Sequence, residues 1–167
     1  MEEQSLIQAP ECVLAIDPGL SGAVCRLGRK HFDVLRDFKQ RSDIARAIKA
    51  LSCGVSQAVI ELVHAFPGQG VCSVWSFGRA AGTADGALAL CLDCPAEEVS
   101  PQKWQGFFRQ RLGIAKEVEF DSRAIAAQVL PSSTPYLSRK KDHNSADAIL
   151  LAVWKLLAGA AAPAGSK

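Results

Sequence analysis

The chain has 167 residues, of which 49% are apolar and 22% are charged, with a formal net charge of +2. This length suits one globular domain with its own core, and the composition excludes an intrinsically disordered chain. No apolar run approaches the roughly 20 residues that span a membrane, and the first ten residues lack the pattern of a signal peptide. We therefore expect a cytoplasmic protein with no membrane partner and with reduced cysteines.

Charge is distributed unevenly along the chain. Residues 1–100 carry 9 Lys and Arg against 12 Asp and Glu, whereas residues 101–167 carry 10 against 5. The basic excess therefore lies in the C-terminal part, beside Trp104, Phe107 and Tyr136. This pattern favours a polyanionic partner, although a solvated basic surface has the same composition.

The first predicted element is an apolar run that ends in a single carboxylate. Cys12–Ile16 leads directly to Asp17, and Pro18-Gly19 then interrupts the run. A short apolar run bounded by turn residues predicts a strand that is buried on both faces. A carboxylate at its end needs a metal ion, a cation or hydrogen bonds, because an unpaired buried charge is costly. A simple turn is the alternative, since Asp-Pro-Gly is good turn chemistry.

Two further strands and a helix follow. Residues 22–27 and 31–36 predict an antiparallel meander with the first strand. Residues 42–51 have helical spacing, with Ser42 as the expected N-cap. The predicted buried face of this helix consists of Ile44, Ala47, Ile48 and Leu51.

The next strand repeats the opening pattern. Residues 57–63 form an apolar run that contains one carboxylate, Glu61, and a loop with Pro67, Gly68 and Gly70 follows. A helix is predicted from Val71 to about Leu90, with glycines at positions 78, 82 and 86. Each interior glycine costs about 1 kcal/mol against Ala, so three on one face predict close approach of another backbone. That backbone belongs either to the sheet or to a second subunit; a helix broken at Gly82-Thr83 is the alternative.

The C-terminal part alternates strand and helix signals. The predicted elements are a strand at 96–99, a turn or short helix from 100, a helix at 116–130, a basic loop at 132–141 and an apolar helix at 145–158. Together with the meander they predict an α/β fold around a mixed sheet. We expect the three tryptophans, at positions 75, 104 and 154, to lie in the core. We expect one domain over residues 12–158, with flexible segments at 1–11 and 159–167.

Four carboxylates stand out although they are far apart in sequence. Asp17 and Glu61 end two predicted strands, and Asp142 and Asp147 flank the start of the last helix. If the strands are neighbours, such a cluster would repel itself unless a divalent cation lay within it. Two-metal nucleases use this arrangement to hold a phosphate, generate hydroxide and stabilise the leaving oxygen. Alternatively, Asp147 complements the helix dipole behind an Asn144 N-cap.

Four motifs in order resemble one known family. They are Ile16–Gly19, Val59–Glu61, Phe77-Gly78 with Gly82, and Lys140–Ala148. Together they resemble the RuvC-type Holliday junction resolvases of the RNase H-like superfamily, in particular the phage-encoded and chloroplast branches. The resemblance covers about residues 12–157.

The resemblance implies both a fold and an activity. The fold is an RNase H-like α/β fold, with a five-stranded mixed sheet and helices on both faces. The activity is that of a crossover junction endodeoxyribonuclease, a homodimer that binds branched DNA at a four-way junction and nicks two opposing strands symmetrically, leaving 5′-phosphate ends. It uses two Mg²⁺ ions per active site, with Mn²⁺ able to substitute, and no small-molecule cofactor. The location is then the bacterial cytosol or a phage-infected host.

The resemblance also assigns ligands. Asp17 and Glu61 match the family's first two metal ligands, and Asp147 matches the acidic residue of its last helix. The fourth ligand is open, and Asp142 is favoured because an expected helix start at 144 or 145 leaves it free to turn toward the metal. His143 is then expected to contact a phosphate or to support a ligand.

Several residues are expected to contact DNA. Phe66 lies where relatives contact the junction core, and Arg139, Lys140 and Lys141 are expected to contact phosphates, although short basic runs are often merely solvated. The lysine that approaches the scissile phosphate is open, because Gln105 follows Trp104 where the family often has lysine. Its candidates are Lys103, Lys116 and Lys141.

Two other functions fit the same residues. One is an RNase H-like nuclease that processes ribosomal RNA precursors, and the other is a non-catalytic junction-binding protein. The long glycine-containing helix and the motif around Asp147 favour the resolvase over the first. The intact carboxylate set argues against the second.

Overall fold

The computed structural model describes residues 11–28, 31–65 and 67–161. Within them, one five-stranded sheet has the order β3-β2-β1-β4-β5. Its strands are β1 (Val13–Asp17), β2 (Ala23–Gly28), β3 (His31–Arg36), β4 (Gln57–Glu61) and β5 (Ala96–Val99). Strands β1, β2 and β3 pair antiparallel, whereas β1–β4 and β4–β5 pair parallel. The sheet is therefore mixed, as the sequence predicted, and the C-terminal ends of the neighbouring strands β1 and β4 lie at the same edge.

Five helices accompany the sheet in the described residues. They are α1 (Arg41–Leu51), α2 (Val71–Cys91), α3 (Pro101–Leu112), α4 (Ser122–Val129) and α5 (His143–Ala161). Two 3-10 turns, Pro131–Tyr136 and Lys140–Asp142, lie in the segment predicted as a basic loop. No helix in this part of the chain is long and apolar enough to cross a membrane.

Strand β1 is buried from both sides, which explains its unbroken apolar run. Val13 and Ala15 belong to the core shared with α3, α4 and α5, whereas Leu14 and Ile16 belong to the core shared with α1 and α2. Successive strand residues point to opposite faces, so both faces of β1 need apolar side chains. The predicted α/β fold with helices on both faces is confirmed, and Asp17 follows a strand that packing fixes from both sides.

Helix α1 buries the four residues that its periodicity predicted. Its start differs from the prediction, because Gln40 rather than Ser42 is the N-cap. The Asp43 carboxylate accepts hydrogen bonds from the backbone N–H groups of Lys39 and Gln40, at 3.0 and 3.1 Å. An acidic residue three positions after the cap satisfies donors that would otherwise lack partners. The helix therefore begins at Arg41.

Helix α2 is continuous, as predicted, and the alternative of a helix broken at Gly82-Thr83 is excluded. Its three glycines do not approach the sheet, because a Cβ added at any of them would meet nothing within 4 Å among the described residues. Val71, Trp75 and Leu90 are exposed on the same helix, although Trp75 was expected in the core. The sheet is thus excluded as the neighbour of the glycines, and a second subunit stays a prediction.

The C-terminal helices begin at different residues from those predicted. Helix α4 starts at Ser122 rather than Lys116, because the Asp121 side chain caps it by accepting from two backbone N–H groups, both at 3.1 Å. Helix α5 begins at His143 rather than at 144 or 145. The Asn144 amide is not an N-cap; it donates to the backbone oxygen of Ser21 at 2.7 Å.

Some expectations fall on residues that the structure does not describe. Phe66 lies outside the described residues. The terminal segments 1–11 and 159–167 also lie outside them, apart from residue 11 and the backbone of 159–161, which continues α5.

Candidate active site

The parallel pairing of β1 and β4 brings two carboxylates to one edge of the sheet. Ile16 is in register with Ile60, so the next residues along the two strands are Asp17 and Glu61. Helix α5 packs across β1 and places Asp147 beside them. Three acids that are far apart in sequence therefore meet at the C-terminal ends of two buried strands.

The surroundings of the three carboxylates disfavour their ionised forms. Burial raises the pKa of Asp17 well above its ordinary value, and the neighbouring Glu61 and Asp147 raise it further. Burial likewise raises the pKa of Glu61. The hydrogen bond from Trp104 lowers this pKa, and repulsion by Asp147 raises it. Burial also raises the pKa of Asp147, although Ser122 and His143 oppose this. A divalent cation among these carboxylates would relieve both the desolvation and the repulsion.

Glu61 is held in place by an indole group. The Nε1–H of Trp104 on α3 donates to Glu61 Oε1 at 2.9 Å. Trp104 is fully buried, and its ring is fixed by edge-to-face contacts with Phe108 and Phe120, at centroid distances of 6.4 and 5.6 Å. The sequence correctly indicated that Trp104 belongs to the core. Its polar contact with Glu61 was missed, because no local pattern links β4 to α3.

Asp147 is held in a similar way by a hydroxyl group. The Ser122 Oγ–H, at the first residue of α4, donates to Asp147 Oδ1. Ser122 is buried and did not stand out in the sequence, where the helix was expected to start six residues earlier. The N-cap signal of Asp121 could have revealed Ser122, because Asp121-Ser122 forms the capped N-terminus of α4.

The turn after Asp17 requires glycine. The Gly22 N–H donates to the Gly19 carbonyl at 3.2 Å, and a Cβ at Gly22 would lie 2.0 Å from the Asp17 carbonyl oxygen. Gly19 has a φ of +139° and packs against Phe77. Residues with a Cβ rarely adopt the φ of Gly19, and a Cβ at Gly22 would clash with the backbone. The turn and the buried acid, which the sequence presented as alternatives, therefore occur together.

The structure does not bring Asp142 to the other three acids. Its buried carboxylate forms salt bridges with Arg139 at 2.8 Å and Arg36 at 2.9 Å, and it accepts from the backbone N–H of Arg139 at 2.8 Å. Burial alone would raise the pKa of Asp142, but these bonds hold it below its ordinary value. Because α5 begins at His143, Asp142 lies in the preceding turn and faces the end of β3. The prediction that Asp142 turns toward the other acids is therefore corrected: it turns toward Arg36 and Arg139 instead.

His143 instead shares a helical face with Asp147. The two residues are one turn apart in α5, and the charge of His143 lowers the pKa of Asp147. The imidazole Nδ1 lies 3.5 Å from the backbone oxygen of Lys140. His143 is therefore the residue of the Asp142-His143 pair that lies on the Asp147 side of α5.

The three acids fit a divalent cation by their chemistry. Carboxylate oxygens are the ligands that Mg²⁺ prefers, and burial has left these carboxylates short of solvation. In the described ranges, no group of three or more His, Cys, Asp or Glu side chains already has the geometry to hold a metal ion. Hydrogen bonds to Trp104 and Ser122 determine the present orientations of two of the acids.

The lysines considered for the scissile phosphate differ in their surroundings. Lys103 pairs with Glu97 at 3.0 Å and lies 5.1 Å from the ring centroid of Trp154. Lys116 is exposed in the segment between α3 and α4, not in a helix. Lys141 pairs with Asp37 at 2.7 Å. Of the three, Lys141 lies nearest in sequence to the first turn of α5.

A basic pocket lies beside the first turn of α5. Its volume is about 550 Å³, and Arg36, Asp37, Arg139, Lys141 and Asp142 contribute its charged lining. Lys140 is exposed in the 3-10 turn that also contains Lys141 and Asp142. Sequence reasoning had singled out the basic run at 139–141 but had missed Arg36 and Asp37, which come from the end of β3. A second cavity, of about 310 Å³, opens beside Glu61 and Phe77.

The fold of the chain has counterparts among solved structures. "T. thermophilus RuvC in complex with Holliday junction substrate" matches with a TM-score of 0.56 at 16% sequence identity, over 90% of this chain and 96% of that one. "Thermus thermophilus RuvC structure" matches with a TM-score of 0.54 at 16% identity, over 89% and 96% of the two chains. The chain has a RuvC-like fold. No protein-family model and no curated protein sequence matches it. The RNase H-like architecture expected from the motifs is therefore confirmed at the level of the fold.

Proposed function

We propose that the chain is a structure-selective DNA endonuclease that resolves four-way junctions, a crossover junction endodeoxyribonuclease. The observation that carries this proposal is the meeting of three partly buried, mutually repelling carboxylates, those of Asp17, Glu61 and Asp147, at the edge of a RuvC-like sheet. The solved RuvC complex with a Holliday junction substrate supports branched DNA as the substrate class.

Asp17, Glu61 and Asp147 would hold the divalent ions, which we propose to be two Mg²⁺ per site with Mn²⁺ able to substitute. When bound, such ions activate water and stabilise the charge on a reacting phosphate. We assign the fourth ligand position to His143 rather than Asp142, because His143 lies one turn from Asp147 on α5, whereas Asp142 is held by two arginines. The imidazole would there hold a metal ion, support another metal ligand or contact a phosphate.

The protein's own groups orient the acids. The Trp104 N–H and the Ser122 O–H each engage one oxygen of a carboxylate, and each thereby sets the direction of the second oxygen. The glycine turn at Gly19 and Gly22 fixes the chain that leaves Asp17. Catalysis depends on such preorganisation, because groups already in place need not rearrange as charge develops.

We propose a homodimer as the active unit. Symmetric nicking of a two-fold junction requires two active sites related by two-fold symmetry. The exposed face of α2 carries Trp75, Val71 and Leu90 beside glycines that leave room for another backbone. An exposed apolar surface of this kind supports association through α2.

The basic excess of the C-terminal part supports DNA binding. We propose that Arg139, Lys140 and Lys141 contact phosphates near the active site and that Phe66 contacts the junction core. Lys141 is the candidate for the scissile phosphate, because it lines the pocket beside the first turn of α5.

A direct cleavage assay tests the proposal. The purified chain is incubated with a labelled four-way junction, a linear duplex and an RNA stem in Mg²⁺, at several salt concentrations. We expect symmetric nicks in the junction alone, with products that DNA ligase can reseal. The Asp17→Asn variant should bind the junction without cleaving it, and Asp33→Asn, which changes an acid outside the site, should cleave normally.

Other outcomes would contradict the proposal. Cleavage of the RNA stem but not the junction would favour processing of ribosomal RNA precursors. Junction binding by the wild type without cleavage in Mg²⁺ or Mn²⁺ would favour a non-catalytic binding protein.

A further inference from the structure

Asp37 adopts an unusual backbone conformation directly after β3. Among the described residues it is the one non-glycine residue with a positive φ, 61°. Side-chain-bearing residues adopt this region rarely, and Asp and Asn tolerate it best. In this conformation the carboxylate reaches Arg139 Nη2 at 2.8 Å and Lys141 Nζ at 2.7 Å. The fold thus places an acid directly on two cations of the basic pocket.

The two carboxylates of the basic pocket differ in how firmly they are held. Asp142 is 1% exposed and bridges Arg36 and Arg139, so it is a permanent part of the structure. Asp37 is 44% exposed, and its partner Lys141 is 63% exposed. Ion pairs with this exposure contribute little free energy, because water and salt compete for both partners. An external anion can therefore replace Asp37 while Asp142 stays in place.

Three features of the pocket match a phosphodiester. Its cations come from two directions, Arg36 from β3 and Arg139 with Lys141 from the turn before α5. Its volume of about 550 Å³ exceeds that of a single ion and leaves room for a chain segment. It also includes His143, which lies on the Asp147 side of α5. A strand whose phosphate lies in this pocket would continue toward the carboxylate cluster.

We propose that the basic pocket binds a backbone phosphate of the DNA substrate and that Asp37 is a displaceable counter-ion occupying the phosphate's place in the free protein. Hydrogen bonds from Lys141 and Arg139 lower the pKa of Asp37 to about 2, so this counter-ion stays charged even in mildly acidic solution. The proposal rests on the proposed function for the presence of DNA but adds a specific site and a built-in competitor. Asp37 lowers the affinity for any backbone that enters the pocket.

Asp37→Asn tests the displacement. Asn tolerates positive φ and keeps the shape of the side chain, but it removes the charge. We expect junction binding without divalent ions, in EDTA, to tighten about 2- to 30-fold, the factor that corresponds to the two short exposed ion pairs of Asp37. The matched control is Asp33→Asn: Asp33 is 46% exposed, lies on β3 and pairs with Arg26 at 2.7 Å, away from the pocket. This control changes the net charge equally and should alter affinity by less than about twofold, because salt screens its field.

A double-mutant cycle shows whether the effect passes through the pocket. Lys141→Gln removes one partner of Asp37, so Asp37→Asn should gain less affinity in that background. A full gain in the Lys141→Gln background would show that Asp37 acts as a general surface charge, and it would overturn the proposal. Circular dichroism and thermal unfolding establish that each variant is folded before binding is measured.

The remaining outcomes separate this proposal from the proposed function. If the wild type cleaves junctions but Asp37→Asn and Asp33→Asn bind like the wild type or gain equally, the counter-ion role is wrong and the nuclease stands. If the wild type binds no DNA, both fall. If inorganic phosphate raises the unfolding temperature of Asp37→Asn while its DNA affinity is unchanged, the pocket binds free anions and the DNA assignment is overturned.

Discussion

The hydrogen bond between Ser122 and Asp147 provides a sharp test of how the active site is built. Ser122→Ala removes one hydroxyl from a buried position and leaves the capping residue Asp121 unchanged. Asp147 then loses a donor while its carboxylate stays buried beside Asp17. The variant therefore tests stability and catalysis through a single atom.

The expected loss of stability depends on the charge of Asp147. A hydrogen bond to a charged group contributes about 1.5–3 kcal/mol, and one between neutral groups about 0.5–1.5 kcal/mol. For a domain of this size each kcal/mol shifts the unfolding temperature by about 2–4 °C, so the shift with Asp147 ionised is about 3–12 °C. Burial already raises the pKa of Asp147, and loss of the Ser122 bond raises it further. Because a raised acid pKa means that folded-state stability falls as pH rises above about 4, the deficit of the variant should grow from pH 4 to pH 8.

The assay is denaturant unfolding of the metal-free protein at several pH values, with Ser133→Ala as the matched control. Ser133 is equally small and fully buried, but it donates to the neutral backbone oxygen of Ala126, at 3.3 Å. Its deficit should be about 0.5–1.5 kcal/mol and independent of pH. In the cleavage assay, Ser122→Ala should lose about 10- to 100-fold in rate, the range for groups that orient metal ligands, and Ser133→Ala should not.

Two results would refute this reasoning. A Ser122→Ala deficit that stays constant from pH 4 to pH 8 would mean that the hydroxyl does not interact with an ionising Asp147. Equal cleavage rates for the wild type and Ser122→Ala would mean that the hydrogen bond does not orient an acid used in catalysis.

Three further predictions follow from the same geometry. Asp17→Asn should abolish cleavage, retain junction binding and raise the unfolding temperature in EDTA at pH 8, because it removes a carboxyl group whose pKa burial raises. An unfolding temperature below that of the wild type would contradict the burial argument. Asp142→Asn should cost about 3–5 kcal/mol in urea unfolding by leaving Arg36 and Arg139 without their buried partner, whereas His143→Ala should keep stability and lose cleavage; the reverse pattern would restore Asp142 as the ligand. Trp75→Glu should shift light scattering from dimer to monomer and abolish paired nicking, and an unchanged dimer would exclude α2 as the interface.

The local signals in the sequence located most of the elements. Strand β3 and strand β5 begin and end at the residues that the sequence predicted, and the buried face of α1 consists of the predicted residues. Helix starts were less accurate, because Asp43 and Asp121 satisfy backbone donors at positions that apolar periodicity does not register. Periodicity depends on neighbours along the chain, whereas a cap depends on one side chain.

The sequence by itself indicated buried strands that end at Asp17 and Glu61, because each apolar run is short and is followed by turn residues. Only the tertiary structure decided which groups surround these acids. Ser122 and Asp147 are 25 positions apart, and Trp104 and Glu61 are 43 apart, so no local pattern joins them. Likewise, Asp142 turns away from the acids because Arg36, on a distant strand, lies where it can pair with it. Side-chain partners depend on the packing of whole elements, and that packing brings together residues whose spacing along the chain is arbitrary.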